Sequence, residues 1–223
     1  MTLREYYQQR APEYDNVYAK PERQADLAAV GRLLPPLVAG RHVLEIAAGT
    51  GYWTQFIAPV AASVTATDLN PETLAIAAAR DYGTARPRLV TADAYRLDAV
   101  AGEFDLVFCG FWWSHVRRAD IGRFMAGVAA RTGPGARLVL LDNRYVAGSN
   151  HPITRTGADG DTFQLRRLGD GREYEVLKNF PPRDQLAADL RPWASGLQYT
   201  ELEYYWLATC ELGGPSERPP APA

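Results

Sequence analysis

Glu45, Gly49 and Gly51 fall within one run, VLEIAAGTGYWT, that spans Val43 to Thr54. Glycine lets a backbone turn tightly and leaves no side chain between the chain and a ligand. A carboxylate at Glu45 opposes a phosphate at such a turn and suits an ammonium group. Asp68 follows Gly51 by 17 residues. Placed at the end of the next strand, its carboxylate can accept hydrogen bonds from both hydroxyls of a ribose. A dinucleotide site would read G-x-G-x-x-G, whose third glycine gives close helix packing under the pyrophosphate. Thr54 stands at that position, so the pattern suits a nucleoside carrying an amino-acid tail.

These residues need a strand before the turn and a helix behind it, and the chain supplies that alternation. Leu27, Val30 and Leu34 share one helical face, which predicts a helix from Glu22 to Leu34 stopped by Pro35-Pro36. Strands are expected at His42–Ile46 and Ser63–Asp68, with a helix at Tyr52–Ala58 between them. Asn70-Pro71 supplies an N-cap and a first helical residue for a run to Arg80. Further strands are expected at Arg88–Thr91 and Phe104–Phe108. A helix striped by Ile121, Phe124, Met125 and Val128 follows, ended by Gly133-Pro134-Gly135 before a strand at Ala136–Leu141. Strands alternating with helices over short connections predict an α/β, doubly wound, mostly parallel sheet with helices on both faces. Ligands of such a sheet sit beyond the carboxyl ends of its strands, where Gly49 and Gly51 lie.

After Asp142 the rhythm changes. A loop runs through Asn150, and Thr162–Leu168 and Arg172–Lys178 flank Gly169-Asp170-Gly171 as a β-hairpin inserted after the fifth strand. A helix near Arg183–Leu190 and one long strand from Tyr199 to Thr209, with Leu202, Tyr204, Trp206 and Ala208 on one face, are expected to close the domain. The division expected is a single domain over 1–212, with a helical cap at 1–40, an insertion at 143–181 and a disordered Pro/Gly-rich tail at 213–223.

Composition narrows the partners. The chain has 223 residues, 47% hydrophobic and 22% charged, with 24 Lys and Arg against 26 Asp and Glu. A net charge of -2 provides no overall basic field for nucleic acid or anionic lipid, so a small-molecule partner is expected. No stretch is apolar for long enough to cross a bilayer, and MTLREYYQQR lacks the apolar core of a secretory signal, which points to the cytoplasm. No metal site is expected: His42, His115 and His151 are far apart, and neither Cys109 nor Cys210 has a partner at ligand spacing. Trp112 and Trp113 are adjacent in a loop, where two indoles do not both face inward easily, and an aromatic wall suits a flat or cationic substrate.

Four segments in order, Glu45-Ile46-Ala47-Ala48-Gly49-Thr50-Gly51, Asp68, Ala92-Asp93-Ala94 and Phe104-Asp105-Leu106-Val107-Phe108, resemble the successive motifs of class I S-adenosylmethionine-dependent methyltransferases of the small-molecule type. The likeness covers roughly Tyr6 to Asp142 and departs only at Ala48, where Cys or Gly is common. It implies a seven-stranded sheet and S-adenosyl-L-methionine as cofactor, with S-adenosyl-L-homocysteine as product. The methionine part would lie against Ala47, Gly49 and Gly51, its ammonium near Glu45 and the backbone of Cys109 and Gly110. The ribose would lie on Asp68 and the adenine amino group on Asp93, with Leu69 and Ala94 against the ring. The segment REYYQQRAPEYDNVYA resembles the N-terminal closure of these enzymes, giving Tyr6 and Tyr14 to the cofactor or the acceptor. The loop holding His115 borders the transferred methyl group in that fold, which makes His115, or Tyr14, the candidate base.

The inserted hairpin reads as a lid of the kind that sets substrate choice in this fold. Asn143, Arg144, Tyr145, His151 and Arg155 are then expected at the mouth, and Arg166, Arg167, Lys178 and Asn179 are expected to face an acidic acceptor. The reaction implied is methyl transfer to O, N or C of a small molecule. A nucleic-acid methyltransferase is the alternative, although Cys109-Gly110-Phe111-Trp112 stands where an Asn/Asp-Pro-Pro-Tyr motif would hold a flipped base. A nicotinamide oxidoreductase and a non-catalytic nucleoside-binding protein are further alternatives.

Overall fold

The structure, a computed structural model, describes residues 11–167 and 171–214. A 3-10 segment, Ala11–Tyr18, precedes helix α1 (Gln24–Val38). Then come β1 (His42–Ile46), α2 (Thr54–Ile57), β2 (Ser63–Asp68), α3 (Pro71–Ala78), β3 (Arg88–Thr91), β4 (Phe104–Gly110), α4 (Ile121–Ala129) and β5 (Thr132–Asn143). Three strands follow, β6 (Ile153–Thr156), β7 (Thr162–Arg167) and β8 (Glu173–Leu177), before α5 (Arg183–Leu190), β9 (Ala194–Glu201) and β10 (Tyr205–Leu212). The main sheet has seven strands in the order β3-β2-β1-β4-β5-β10-β9. Its first five strands are parallel, and β10 runs antiparallel to both neighbours. This is the doubly wound α/β arrangement that the alternation predicts.

Successive residues of the central strands face opposite sides, and each side buries its own core. Leu44, Val107, Leu138 and Leu140 pack on one face with Phe124, Met125 and Val128 of α4 and Leu186 and Leu190 of α5. Val43, Leu106, Val139 and Leu141 pack on the other with Leu27, Val30, Leu34 and Val38 of α1 and Ile57 of α2. Both faces are covered, which is why these strands are apolar almost throughout.

Four local expectations are corrected. Pro35 and Pro36 lie inside α1, which runs to Val38. The carbonyls of Gly31 and Arg32 thereby lose their helical donors, but these residues are half-exposed and exposed, so water can satisfy them, while buried Leu34 and Val38 keep the last turn on the sheet. Asn70 starts α3 without a side-chain cap. Its backbone N–H donates to Asp68 Oδ1 instead, at 2.8 Å. Gly133-Pro134-Gly135 lies within β5 rather than before it: the pairing jumps from Phe104↔Thr132 to Leu106↔Arg137, and Gly135 at φ 73° takes up the bulge. The closing strand is a hairpin of β9 and β10. Leu202 and Tyr204 sit in its turn, where the Tyr204 N–H donates to Asp26 Oδ2 at 2.7 Å.

The insertion is a separate antiparallel sheet, β6-β7-β8, one strand larger than the expected hairpin. Leu168, Gly169 and Asp170, where the hairpin turn is expected, and the tail from Pro215 onward lie outside the described residues. Among the described residues no helix is long and apolar enough to cross a membrane.

Candidate active site

The carboxyl ends of β1, β2 and β3 are neighbours, which brings Glu45, the glycine turn, Asp68 and Asp93 to one edge. The turn leaves β1 through Ala47, a left-handed residue at φ 57°, then Gly49 at 57° and Gly51 at 76°. For alanine that conformation costs roughly 1–2 kcal/mol. The two glycines have different neighbours. A Cβ on Gly51 would collide with the Tyr82 hydroxyl and Ala77, so its bareness lets α3 pack against the turn. A Cβ on Gly49 would lie 3.3 Å from Tyr14 Cε1, so the Tyr14 ring covers this face of the turn. Asp15, in the same N-terminal segment, accepts hydrogen bonds from Thr50 Oγ1 and Arg80 and ties the segment down.

Glu45 is buried, with Oε2 accepting from Thr54 Oγ1 at 2.7 Å. Burial pushes its carboxyl up to about 8, against the pull of Thr54, and the Asp68 charge adds to the rise. Asp68 is raised by burial too, opposed by the N–H groups of Asn70 and Gly49, the latter reaching Oδ2 at 2.9 Å. Asp93 Oδ1 accepts from the Tyr95 N–H at 2.9 Å; Leu69 is exposed and Ala94 buried.

Beside this corner β4 ends in Cys109 and Gly110. Burial pushes the Cys109 thiol up, which keeps it inert. A side chain on Gly110 would lie 2.9 Å from Trp53 Cδ1. Phe111 is, with Ala47, one of two left-handed residues other than glycine among the described residues, at φ 60°. Trp113 belongs to the core against Phe124, and Trp112 is half-buried against Tyr95; the neighbouring cavity, which at least one of the two indoles is expected to line, has neither among its described lining residues. His115 does line it. Its Nδ1 lies 2.7 Å from the Leu177 carbonyl oxygen, which can only accept, so the proton sits on Nδ1 and Nε2 is the acceptor of the neutral ring.

The cavity holds about 280 Å³ between the N-terminal segment, the β4 and β5 ends and the inserted sheet. Of the residues expected there, Tyr14, His115, Asn143, His151, Arg166 and Lys178 line it. Tyr145 is exposed and meets Phe180 instead. Arg144 pairs with Glu201, Arg155 with Glu175 and Arg167 with Glu173, all on the surface. Asn179 has a structural role: it accepts from the Thr162 N–H and donates to Val116 O and Asp161 Oδ1, holding the inserted sheet to the loop after β4. Lys178 is buried beside Asp142 at 3.3 Å and also donates to Ser114 Oγ. Tyr6 lies outside the described residues.

Sequence reasoning missed Lys20, Arg23, Phe111, Ser149, Gln164 and Tyr205 in this lining. Arg23 is the clearest omission. It is only 5% exposed, donates to Ser149 Oγ and Asn143 Oδ1 at 2.9 Å each, and lies over the Tyr205 ring at 5.4 Å. Among the described residues no group of three or more His, Cys, Asp or Glu could hold a metal ion.

Residues 43–135 match the family model of a methyltransferase domain. No curated protein matches the chain. Among solved structures, DhpI in its SAH complex is 29% identical with a TM-score of 0.72, covering 94% of each chain. The DhpI-SAM-HEP complex superposes equally well, at 28% identity and a TM-score of 0.72 over 92% of this chain and 94% of that one. SAM-bound CalS10, an amino pentose methyltransferase from Micromonospora echinaspora, is 22% identical with a TM-score of 0.56, over 89% of this chain and 95% of that one, and shares the fold.

Proposed function

We infer that this chain, a class I S-adenosylmethionine-dependent methyltransferase, transfers a methyl group from S-adenosyl-L-methionine to oxygen, nitrogen or carbon of a small-molecule acceptor. One observation carries the cofactor reading. Glu45 is a buried carboxyl and Asp68 a half-buried one at adjacent strand ends, and neither forms an ion pair among the described residues. Burial makes ionising such a carboxyl costly, so Glu45 keeps its proton up to about 8, and a positively charged ligand offsets that cost. A nucleoside with a cationic amino-acid tail fits both acids, and the DhpI complexes with SAH and with SAM support the choice.

When bound, S-adenosyl-L-methionine supplies a methyl group on a sulfonium whose charge disappears as the methyl leaves. The residues of the chain do the rest. Glu45 takes the ammonium, and the backbone from Ala47 to Gly51 and around Cys109 and Gly110 lines the tail. Asp68 accepts from the ribose hydroxyls, Asp93 takes the adenine amino group, and Leu69 and Ala94 flank the ring. Tyr14, lying on Gly49, screens the corner from water and faces the acceptor cavity. In-line displacement by a desolvated nucleophile draws its rate mainly from alignment. Where the methylated atom carries a proton, Nε2 of His115 receives it.

The test is transfer of labelled methyl from S-adenosylmethionine to pooled small metabolites, with RNA and DNA as parallel acceptors. We expect label in the metabolite pools and calorimetric binding of S-adenosylhomocysteine but not of NADH. Absence of that binding, or label confined to nucleic acid, would overturn the reading.

A further inference from the structure

The acceptor cavity carries a charge opposite to that of the cofactor corner. Arg23, Arg166 and Lys178 all line it, with Lys20 at its edge, and no Asp or Glu is among its described lining residues. Two acids touch its lining from outside: Asp142 is fully buried and engaged by Lys178, Ser114 and the Asn143 N–H, and Glu22 accepts from Ser149 Oγ at 2.7 Å and pairs with Lys20 at 4.0 Å. Arg23 donates to neutral oxygens, those of Ser149 and Asn143 and the Tyr205 hydroxyl, and forms no ion pair among the described residues. Arg166 donates to Gln164 Oε1 at 3.0 Å, likewise forms no ion pair there, and its buried Nε has no hydrogen-bond partner.

The three cations feel one another. Burial pulls the Lys178 ammonium down to about 8, Asp142 opposes the fall, and the charges of Arg166 and Arg23 add to it. Arg23, Arg166, Lys178 and Lys20 around about 280 Å³ outnumber the two acids that adjoin the lining, Asp142 and Glu22, and leave an excess of positive charge in a site that is partly closed to water. Guanidinium groups are the side chains best shaped to clamp an oxyanion through paired N–H donors.

We propose that the methyl acceptor is a small molecule bearing a doubly negative oxyanion group, bound by Arg23 and Arg166 in the cavity beneath the inserted sheet. This rests on the methyltransferase reading, since it makes the cavity the acceptor site, and it adds the charge class of the acceptor. Tyr14 and His115 lie in the same wall, so an acceptor anchored by its anion stands beside the corner that takes the cofactor.

The experiment is calorimetric titration of the full chain, saturated with S-adenosylhomocysteine, by inorganic phosphate, sulfate and malonate in turn, with choline and glycerol as cationic and neutral controls. At least one dianion is expected to bind, more weakly as salt is raised, and its identity separates a tetrahedral from a dicarboxylate group. Arg166→Gln is expected to weaken that binding about tenfold or more, with partial recovery in Arg166→Lys. Arg155→Gln, which alters an ion-paired arginine on the exposed side of the same sheet, is expected to leave it unchanged. Failure of S-adenosylhomocysteine to bind would overturn the methyltransferase reading and this proposal with it. Binding of S-adenosylhomocysteine without any dianion, binding of choline in their place, or dianion binding insensitive to Arg166→Gln would overturn this proposal alone. Circular dichroism of each variant separates loss of the site from loss of the fold.

Discussion

The corner at the ends of β1 and β2 and the cavity beneath the inserted sheet share the Tyr14 ring, yet they are built in opposite ways. The corner is acidic and local: Glu45, Gly49 and Asp68 come from two neighbouring strands and the turn between them. The cavity is basic and assembled from afar, since Arg23 meets Asn143 and Ser149 across at least 120 residues of chain. A site that grips the shared part of a reaction can be fixed by one supersecondary unit. The cavity draws instead on segments added around that unit.

The largest effect that separates the two regions should come from Asp142. Asp142→Ala leaves Lys178 buried beside two guanidiniums and should lower the unfolding free energy by about 3–5 kcal/mol in urea, while the fraction still folded binds S-adenosylhomocysteine normally. The double variant Asp142→Leu/Lys178→Met should regain much of that loss. If Asp142→Ala alone were neutral, the network would not hold the cavity wall.

At the acidic corner the sign of the pH dependence is fixed by Glu45. Its folded value lies near 8, above the ordinary carboxylate value of 4.5, so the folded state binds its proton more tightly than the unfolded chain does. Its contribution to stability is full below pH 4.5 and is lost as pH rises toward 8. Urea midpoints at pH 5 and pH 8 should therefore differ by less in Glu45→Gln than in the parent, by a few kcal/mol of unfolding free energy. An unchanged difference would mean that the carboxyl is not desolvated. Asp68→Ala should weaken S-adenosylhomocysteine by about 1.5–3 kcal/mol in calorimetry and leave phosphate binding intact. Equal losses at both sites would merge what the geometry keeps apart. The smallest effect belongs to the backbone: Ala47→Gly should raise thermal stability by up to about 1 kcal/mol by relieving the left-handed alanine.

The same contrast decides what could be read from sequence. The limits of β1, β2, β3 and α5 follow from short-range patterning and agree with the structure to the residue. Where patterning misled, a longer-range partner had intervened. Leu202 and Tyr204 continue an alternating apolar run, but the Tyr204 N–H is captured by Asp26 and the chain reverses there without Gly or Pro. Trp113 stood in a loop by its neighbours, yet Phe124 of α4 draws it into the core. Arg166 and Lys178, expected from their position in an insertion to face an acidic acceptor, both line the cavity. Arg23 gave no such sign, because nothing in its own segment records that Asn143 and Ser149 will lie against it.

The inserted sheet leaves the main fold at Asn143 and returns at Lys178 and Asn179, and those ends are stitched together through Asp142, Ser114 and Val116. A foreign sheet grafted between these points would inherit the same mounting, provided that it carried its own Lys178, Asn179 and Asp161. Everything distal to the stitches could then be exchanged as a module, so the lining of the cavity can change without disturbing the sheet beneath.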